Sequence, residues 1–261
     1  MTKHQIILVV AGLVLTIALY QLPRVVVENE VITDIQQKHS FEVSLEDRNI
    51  ITSLFSKLND VAFKENTIIF ADSLARVYMK YQKIDSAERW ANEILAYNTS
   101  LNSSLRSGLI FYQAFQSSTN AEETKRLAGR AAEQFEFILE QDENNLSVKS
   151  KLAMTKVVSS NPMSGIMMLR EVLEKAPSNR EAIFNLGILA IQSRQHEKAV
   201  GRFERLLELD SVDYEAMFYL GISKAETGKI DDSRELLQKL VDSEAADIAL
   251  KATAANYLEG L

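Results

Sequence analysis

Arg180–Asp213 reads REAIFNLGILAIQSRQHEKAVGRFERLLELDSVD, and Tyr214–Asp247 reads YEAMFYLGISKAETGKIDDSRELLQKLVDSEAAD. Laid one under the other, these two stretches of 34 residues keep step. Leu186-Gly187 stands over Leu220-Gly221, Phe203 over Leu237, and Leu206 over Leu240. The same shift backwards puts Leu152-Ala153, Leu169 and Val172 in those slots. Within each stretch the apolar residues recur three or four apart, the spacing of a helix face, with no sustained alternation of the kind a strand shows. A helix pair repeated at a fixed period builds a solenoid, because one unit cannot bury its apolar face alone and must stack on the next. Three in-phase units follow: 146–179, 180–213 and 214–247.

Outward from this centre, a further unit fits at 68–101, with Leu74, Ala75, Tyr78, Ala87 and Ile94 in register. The intervening 102–145 is 44 residues long. Its second helix keeps phase through Ala131, Phe135 and Ile138, so the ten extra residues are expected in its first helix or its turn, around Gln116 to Glu122. Residues 245–258 read as a terminal helix. Its Ile248, Ala249 and Ala252 are expected to cover the last unit while Asp247 and Lys251 face water. Upstream, Ser44-Leu45-Glu46-Asp47 has the form of a capping box with Asp in the Glu position. It opens a helix expected over 44–62, through Ile50, Leu54, Leu58 and Val61. The fold class is therefore all-α, with 44–261 a solenoid of about five helix pairs and a terminal helix.

The residues in register resemble those of the tetratricopeptide repeat (TPR) family, whose period is 34. Unit 180–213 carries Leu186, Gly187, Ala190, Ala199 and Phe203 at the seventh, eighth, eleventh, twentieth and twenty-fourth positions. Unit 214–247 has Leu220, Gly221 and Leu237, with Gly228 in its turn. Unit 146–179 ends in Ala176-Pro177-Ser178-Asn179, with proline where the family places it. Small residues at positions eight and twenty let paired helices approach closely. Departures are visible too. Lys149, Lys156 and Lys224 occupy slots that are usually apolar, where their stems can pack and their ammonium groups reach water. Gly165 and Ser233 stand at position twenty in place of alanine, and Ser211 replaces the terminal proline. Asn161-Pro162 suits the start of a helix, as cap and first residue.

The resemblance implies a non-catalytic scaffold for a protein or peptide partner, with a groove lined by first-helix positions two, five, nine, twelve and thirteen. Unit 146–179 offers Ser147, Ser150, Met154, Val157 and Val158 there. Unit 180–213 offers Glu181, Phe184, Ile188, Ile191 and Gln192, and unit 214–247 offers Glu215, Phe218, Ile222, Ala225 and Glu226. The subclass that clamps a peptide carboxylate uses Lys, Arg and Asn in this groove, which these slots lack. The candidate partner groove is accordingly the apolar set Met154, Val157, Phe184, Ile188, Ile191, Phe218 and Ile222. Phe184, Ile188, Phe218 and Ile222 read as surplus to the fold, because Ile183, Leu186, Met217 and Leu220 already supply the helix-pair packing. Two readings stay open: a partner segment fills this groove, or helix 44–62 of the same chain does.

The N-terminus has a different character. Ile6 to Leu22, IILVVAGLVLTIALYQL, contains no charge. At roughly −0.3 to −0.6 kcal/mol for each Ile, Leu or Val, it favours a bilayer by several kcal/mol. Residues 1–22 are therefore expected to form a transmembrane anchor. The competing reading is a signal peptide cut after Ala18. Residues 23–43 are expected to be a stalk. Lys3 and Arg24 nearly balance the positive-inside bias, and the short tail before the apolar run favours a signal-anchor. The expected location is a bacterial inner membrane, single-pass, with the repeats on the periplasmic side. This layout also resembles the anchored TPR accessory proteins of cytochrome c maturation; a self-assembling structural repeat is the remaining alternative.

Composition excludes several chemistries. There is no cysteine, hence no disulfide, thiolate zinc site or Cys nucleophile. With 29 basic and 36 acidic residues the net charge is −7, unsuited to holding nucleic acid phosphates. No phosphate loop, GxSxG or HExxH occurs, and neither a cofactor nor a metal is expected. Of the three histidines, His4 precedes the apolar run, His39 lies in the stalk, and His196 falls at a position expected to hold a packed, hydrogen-bonded side chain. Glu122-Glu123 and Asp231-Asp232 are expected to start helices, where negative charge suits the dipole.

Overall fold

The computed structural model describes residues 43–59, 66–159 and 161–261. By contact density the chain separates into residues 1–50 and residues 51–261, and the second unit holds the repeats. The expected anchor, 1–22, and nearly all of the stalk lie outside the described residues. Among the described residues no helix is long and apolar enough to cross a membrane.

The described residues form twelve helices and no strand. The first, α1, is Leu45–Asn59. Ser44 caps it: its Oγ accepts the Asp47 N–H at 3.1 Å and its hydroxyl donates to the Asp47 carboxylate at 3.0 Å. Five pairs follow. They are α2 (Thr67–Lys80) with α3 (Ile84–Tyr97), α4 (Leu101–Ser117) with α5 (Ala121–Gln141), and α6 (Leu146–Val157) with α7 (Pro162–Lys175). Then come α8 (Arg180–Gln192) with α9 (His196–Leu209) and α10 (Tyr214–Glu226) with α11 (Ile230–Asp242), before α12 (Ile248–Glu259) closes the series. Each pair packs internally, and each second helix packs on the first helix of the next pair.

The helix starts explain the register. The side chains of Asn145, Asn179, Asp213 and Asp247 cap α6, α8, α10 and α12 by accepting backbone N–H groups of the first turn. These four residues are spaced by 34, so the last position of each unit satisfies the opening of the next. In three of the pairs the chain turns from one helix to the next through a left-handed residue. Gln82, Arg194 and Gly228 have φ of 54°, 56° and 82°. In each case the following N–H reaches back to a carbonyl five residues earlier: Lys83 to Tyr78, Gln195 to Ala190, and Lys229 to Lys224. This is a Schellman closure, and of the three only Gly228 carries the residue that meets no Cβ penalty there.

Close approach fixes the pairs. A Cβ on Gly187 would lie 2.7 Å from the Phe203 ring, and one on Gly221 would lie 2.7 Å from Leu237 Cγ. The small residue at position eight therefore lies against the large one at position twenty-four in both units, and the helices approach closely there as expected. Gly165 is tighter still. Its Cβ would stand 2.3 Å from the Ala153 carbonyl oxygen, so α6 and α7 touch backbone to backbone and alanine has no room. Phe203, Leu237, Leu169, Phe135 and Leu74 are fully buried and anchor successive cores.

Two expectations need correction. The extra residues of 102–145 are not confined to its first helix or turn. α4 has 17 residues and α5 has 21, against 13 in α8 and 14 in α9, while the turn 118–120 stays short. Asn120 explains the early start of α5: its side chain accepts the N–H groups of Glu122 and Glu123, whose charges favour the helix N-terminus. The terminal helix starts three residues later than expected and turns another face inward. Ile248 is 85% exposed, and Ala249 and Ala252 are exposed too. Leu250, Ala254, Tyr257 and Leu258 are the residues that join the core around Met217 and Leu237. The second half of α1 lies on the first repeat. The Phe55 ring meets Trp90 edge-on at 5.5 Å, and Lys57 sits over the Phe70 ring at 5.7 Å.

Candidate functional site: the first-helix face

The first helices α2 and α4, α6 and α8, and α8 and α10 pack side by side. The candidate groove residues all fall on this row. Met154, Val157, Phe184, Ile188, Ile191 and Ile222 are half-buried, and Phe218 is buried at 8% exposure. Phe218 and Phe184 are thus not surplus to the fold. Phe184 meets Phe203 at 5.8 Å and Tyr219 at 5.5 Å, both edge-on. Tyr219 stacks on Phe203 at 5.7 Å, and Phe218 meets Tyr219 edge-on at 5.3 Å. An aromatic cluster therefore ties α8, α9 and α10 together. Edge-on and offset rings at these separations add about 0.5–1.5 kcal/mol per pair beyond burial. Ile188 and Ile191 border one core cluster and Ile222 the next, and each keeps part of its surface in water.

Ion pairs cross from one unit to the next on the same row. The Asp72 carboxylate accepts from Arg106 at 2.7 Å and from Arg76 at 3.1 Å, while its other oxygen is buried without a partner. Lys151 reaches Glu181 at 2.7 Å. Arg180 grips Asp213 through two hydrogen bonds, 2.7 and 2.8 Å, and Glu215 through a third at 2.7 Å. Its guanidinium also lies over the Phe184 ring at 5.1 Å. Arg180 is held even more firmly protonated than usual: its hydrogen bond to Asp213 outweighs the opposing effect of burial, and Glu215 adds to it. For Asp213, burial pushes the pKa up, but the Arg180 hydrogen bonds and the Ala216 N–H more than reverse it, so the carboxyl titrates below its ordinary range.

Tyr112 on α4 is buried, which raises its hydroxyl pKa, and the charge of Glu181 on α8 raises it further.

The three lysines in apolar slots do pack their stems, but they end on carboxylates rather than in open water. Lys149 meets Glu171 at 2.5 Å, Lys156 meets Glu136, and Lys224 lies 3.1 Å from Asp232 and 3.2 Å from Glu204. Burial works against the Lys224 charge, and its bonds to Asp232 and Glu204 more than compensate, raising its pKa. His196 is packed as expected but not hydrogen-bonded as expected. Its Nδ1 is buried without a partner, and its Nε2 is 4.0 Å from the Glu226 carboxylate.

Sequence reasoning missed Arg180, Tyr219 and Asp72. Each acts on a residue of another helix, which the periodicity of one helix does not register. Among the described residues no group of three or more His, Asp or Glu could hold a metal ion. A depression of about 440 Å³ lies between the 210–213 turn and the end of α11, bordered by Val212, Tyr214, Lys239 and Asp242.

Residues 184–254 match the family model described as tetratricopeptide repeat. Comparison with curated proteins gives no significant match. Among solved structures the chain is similar to TTC0263, a thermophilic TPR protein of Thermus thermophilus. The identity is 14% and the TM-score 0.55, over 75% of this chain and 99% of that one. It also matches YrrB, a TPR protein with an unusual peptide-binding site, at 18% identity and TM-score 0.42, over 79% of this chain and 99% of that one. PilF of Pseudomonas aeruginosa matches at 14% identity and TM-score 0.49, over 75% and 86%. At that identity the likeness to TTC0263 shows the fold alone, an all-α TPR-type solenoid.

Proposed function

We propose that the protein is a membrane-anchored, non-catalytic TPR scaffold that holds an apolar segment of another protein on the first-helix face of units 146–247. The observation that carries this reading is the strip Met154, Ile188, Ile191 and Ile222. These residues recur on the same face of successive first helices and remain half open to water after the cores are filled. A continuous apolar strip of this kind is suited to an amphipathic or extended segment. The uncharged run Ile6 to Leu22 supports the anchor, and the short tail before it supports repeats on the periplasmic side.

One experiment tests both parts, since the chain has no cysteine and a single one is a unique handle. Full-length protein carrying Ile191→Cys or Met167→Cys is treated on intact spheroplasts with a membrane-impermeant maleimide photo-crosslinker. Met167 is an exposed residue on the second-helix row and serves as the control. Both sites should label from outside, and only Ile191→Cys should give a discrete protein adduct. Labelling only after lysis would reverse the orientation. Adducts of equal yield from both sites would remove the groove reading.

A further inference from the structure

The first-helix face changes charge along its length. At its beginning the basic side chains Arg76 and Arg106 share one carboxylate, Asp72. At its end, on α10, Glu215 and Glu226 with the capping Asp213 outnumber Arg180, which is already committed to Asp213 and Glu215, while Lys224 turns away to Glu204 and Asp232. Between the two ends lie the neutral Met154, Val157, Ile188 and Ile191. The outermost charges are open to solvent. The Arg76 side chain is 59% exposed and that of Glu226 is 53% exposed, with His196 of α9 4.0 Å from its carboxylate. Such charges contribute little to folding, because water screens them. They are placed to select and orient a charged ligand arriving on the face.

We propose that the segment held by this face is polarised: acidic where it crosses α2 and α4, apolar over α6 and α8, and basic where it crosses α10. This rests on the groove reading above and adds the partner's chemistry and its direction. Register follows from it. A partner laid the other way would set acid on Glu215 and Glu226 and base on Arg76 and Arg106, and like charges brought together suppress that alignment.

The test uses the full chain and short synthetic peptides of one composition. In the blocked peptides an acidic block, an apolar block and a basic block follow in that order or in its reverse. In the third peptide the same charges are interleaved through the apolar residues. Each carries a photo-crosslinker at one end, and binding is read by fluorescence anisotropy at low salt. One of the two blocked peptides should bind about tenfold more tightly than the interleaved one, and the gain should shrink as salt is added. Its acidic end should crosslink to α2 or α4 and its basic end to α10. The double variant Arg76→Gln with Glu226→Gln should lose most of that preference while keeping its thermal melt. Equal affinity for blocked and interleaved peptides, or acidic-end crosslinks on α10, would overturn the polarity. If adducts from Ile191→Cys persist in that case, the groove still stands; if they are absent as well, the groove reading fails with it.

Discussion

Unit 102–145 and unit 180–213 do the same job at different lengths. In the longer one, α4 runs on past the point where α8 stops, and α5 starts earlier than α9 does. Yet the contact that joins each pair is alike: Gly108 faces Phe135 in the first, and Gly187 faces Phe203 in the second. The added residues extend the ends of the helices and leave the crossing point where it was. Unit 146–179 differs in the opposite sense. Its crossing is set at position twenty by Gly165, with no side chain between the backbones. What defines a unit here is therefore one close crossing, and helix length is free to vary around it.

The comparison can be broken most forcefully at Gly165. Gly165→Ala should destabilise by about 2–3 kcal/mol, because the nearest obstacle is a backbone carbonyl that cannot move aside. Gly201→Ala, on an open face of α9 where a Cβ meets nothing within 4 Å, should stabilise by about 0.5–1 kcal/mol. Denaturant midpoints of the two variants give both signs, and a loss of similar size from each would refute the crossing argument.

Next in size is the cap that is also an ion-pair partner. Asp213→Ala removes both the bond to the Ala216 N–H and the grip of Arg180, and should cost about 2 kcal/mol. Asn145→Ala removes only a cap and should cost about 1 kcal/mol. The pKa of Asp213 is depressed in the folded state, so its contribution is complete above the ordinary carboxylate range. It is lost as the pH falls through the lowered folded value. The stability gap between wild type and Asp213→Asn should therefore be full at neutral pH and close on acidification. A gap that widens on acidification would show that Asp213 is not held ionised by Arg180.

The smallest effect concerns the turns. Gln82 and Arg194 hold the left-handed conformation that Gly228 holds without strain. Gln82→Gly and Arg194→Gly should each raise stability by up to about 1 kcal/mol, and Gly228→Ala should lower it by about as much. Thermal melts of the three suffice; a loss in the first two would mean that their side chains contribute more than their backbone costs.

Much of this was legible in the sequence because the period is a packing rule. Leu186-Gly187 and Phe203 had to recur if helix pairs were to nest, and they do. The inward face of α12 is hidden from a reading by apolarity alone, which turns Ile248, Ala249 and Ala252 to the core. Counting on by 34 from Ala182 and Leu186 through Ala216 and Leu220 points instead to Leu250 and Ala254. Phe184 and Phe218 read as surface because their ring partner, Tyr219, lies in the neighbourhood of two units at once. Arg180 left no trace, since a bond to a residue 33 positions away has no helical period.

The four caps at Asn145, Asn179, Asp213 and Asp247 have a consequence for how such a chain can grow. Each residue closes one unit in the covalent order and serves the following unit by its hydrogen bond. Excise 180–213 whole, and Asn179 is joined directly to Tyr214, with its side chain in place for the N–H groups of α10. Insert another such unit, and the same junction forms twice. The joints are interchangeable, so the array can be shortened or lengthened by whole units at any of these points without leaving a helix start unsatisfied.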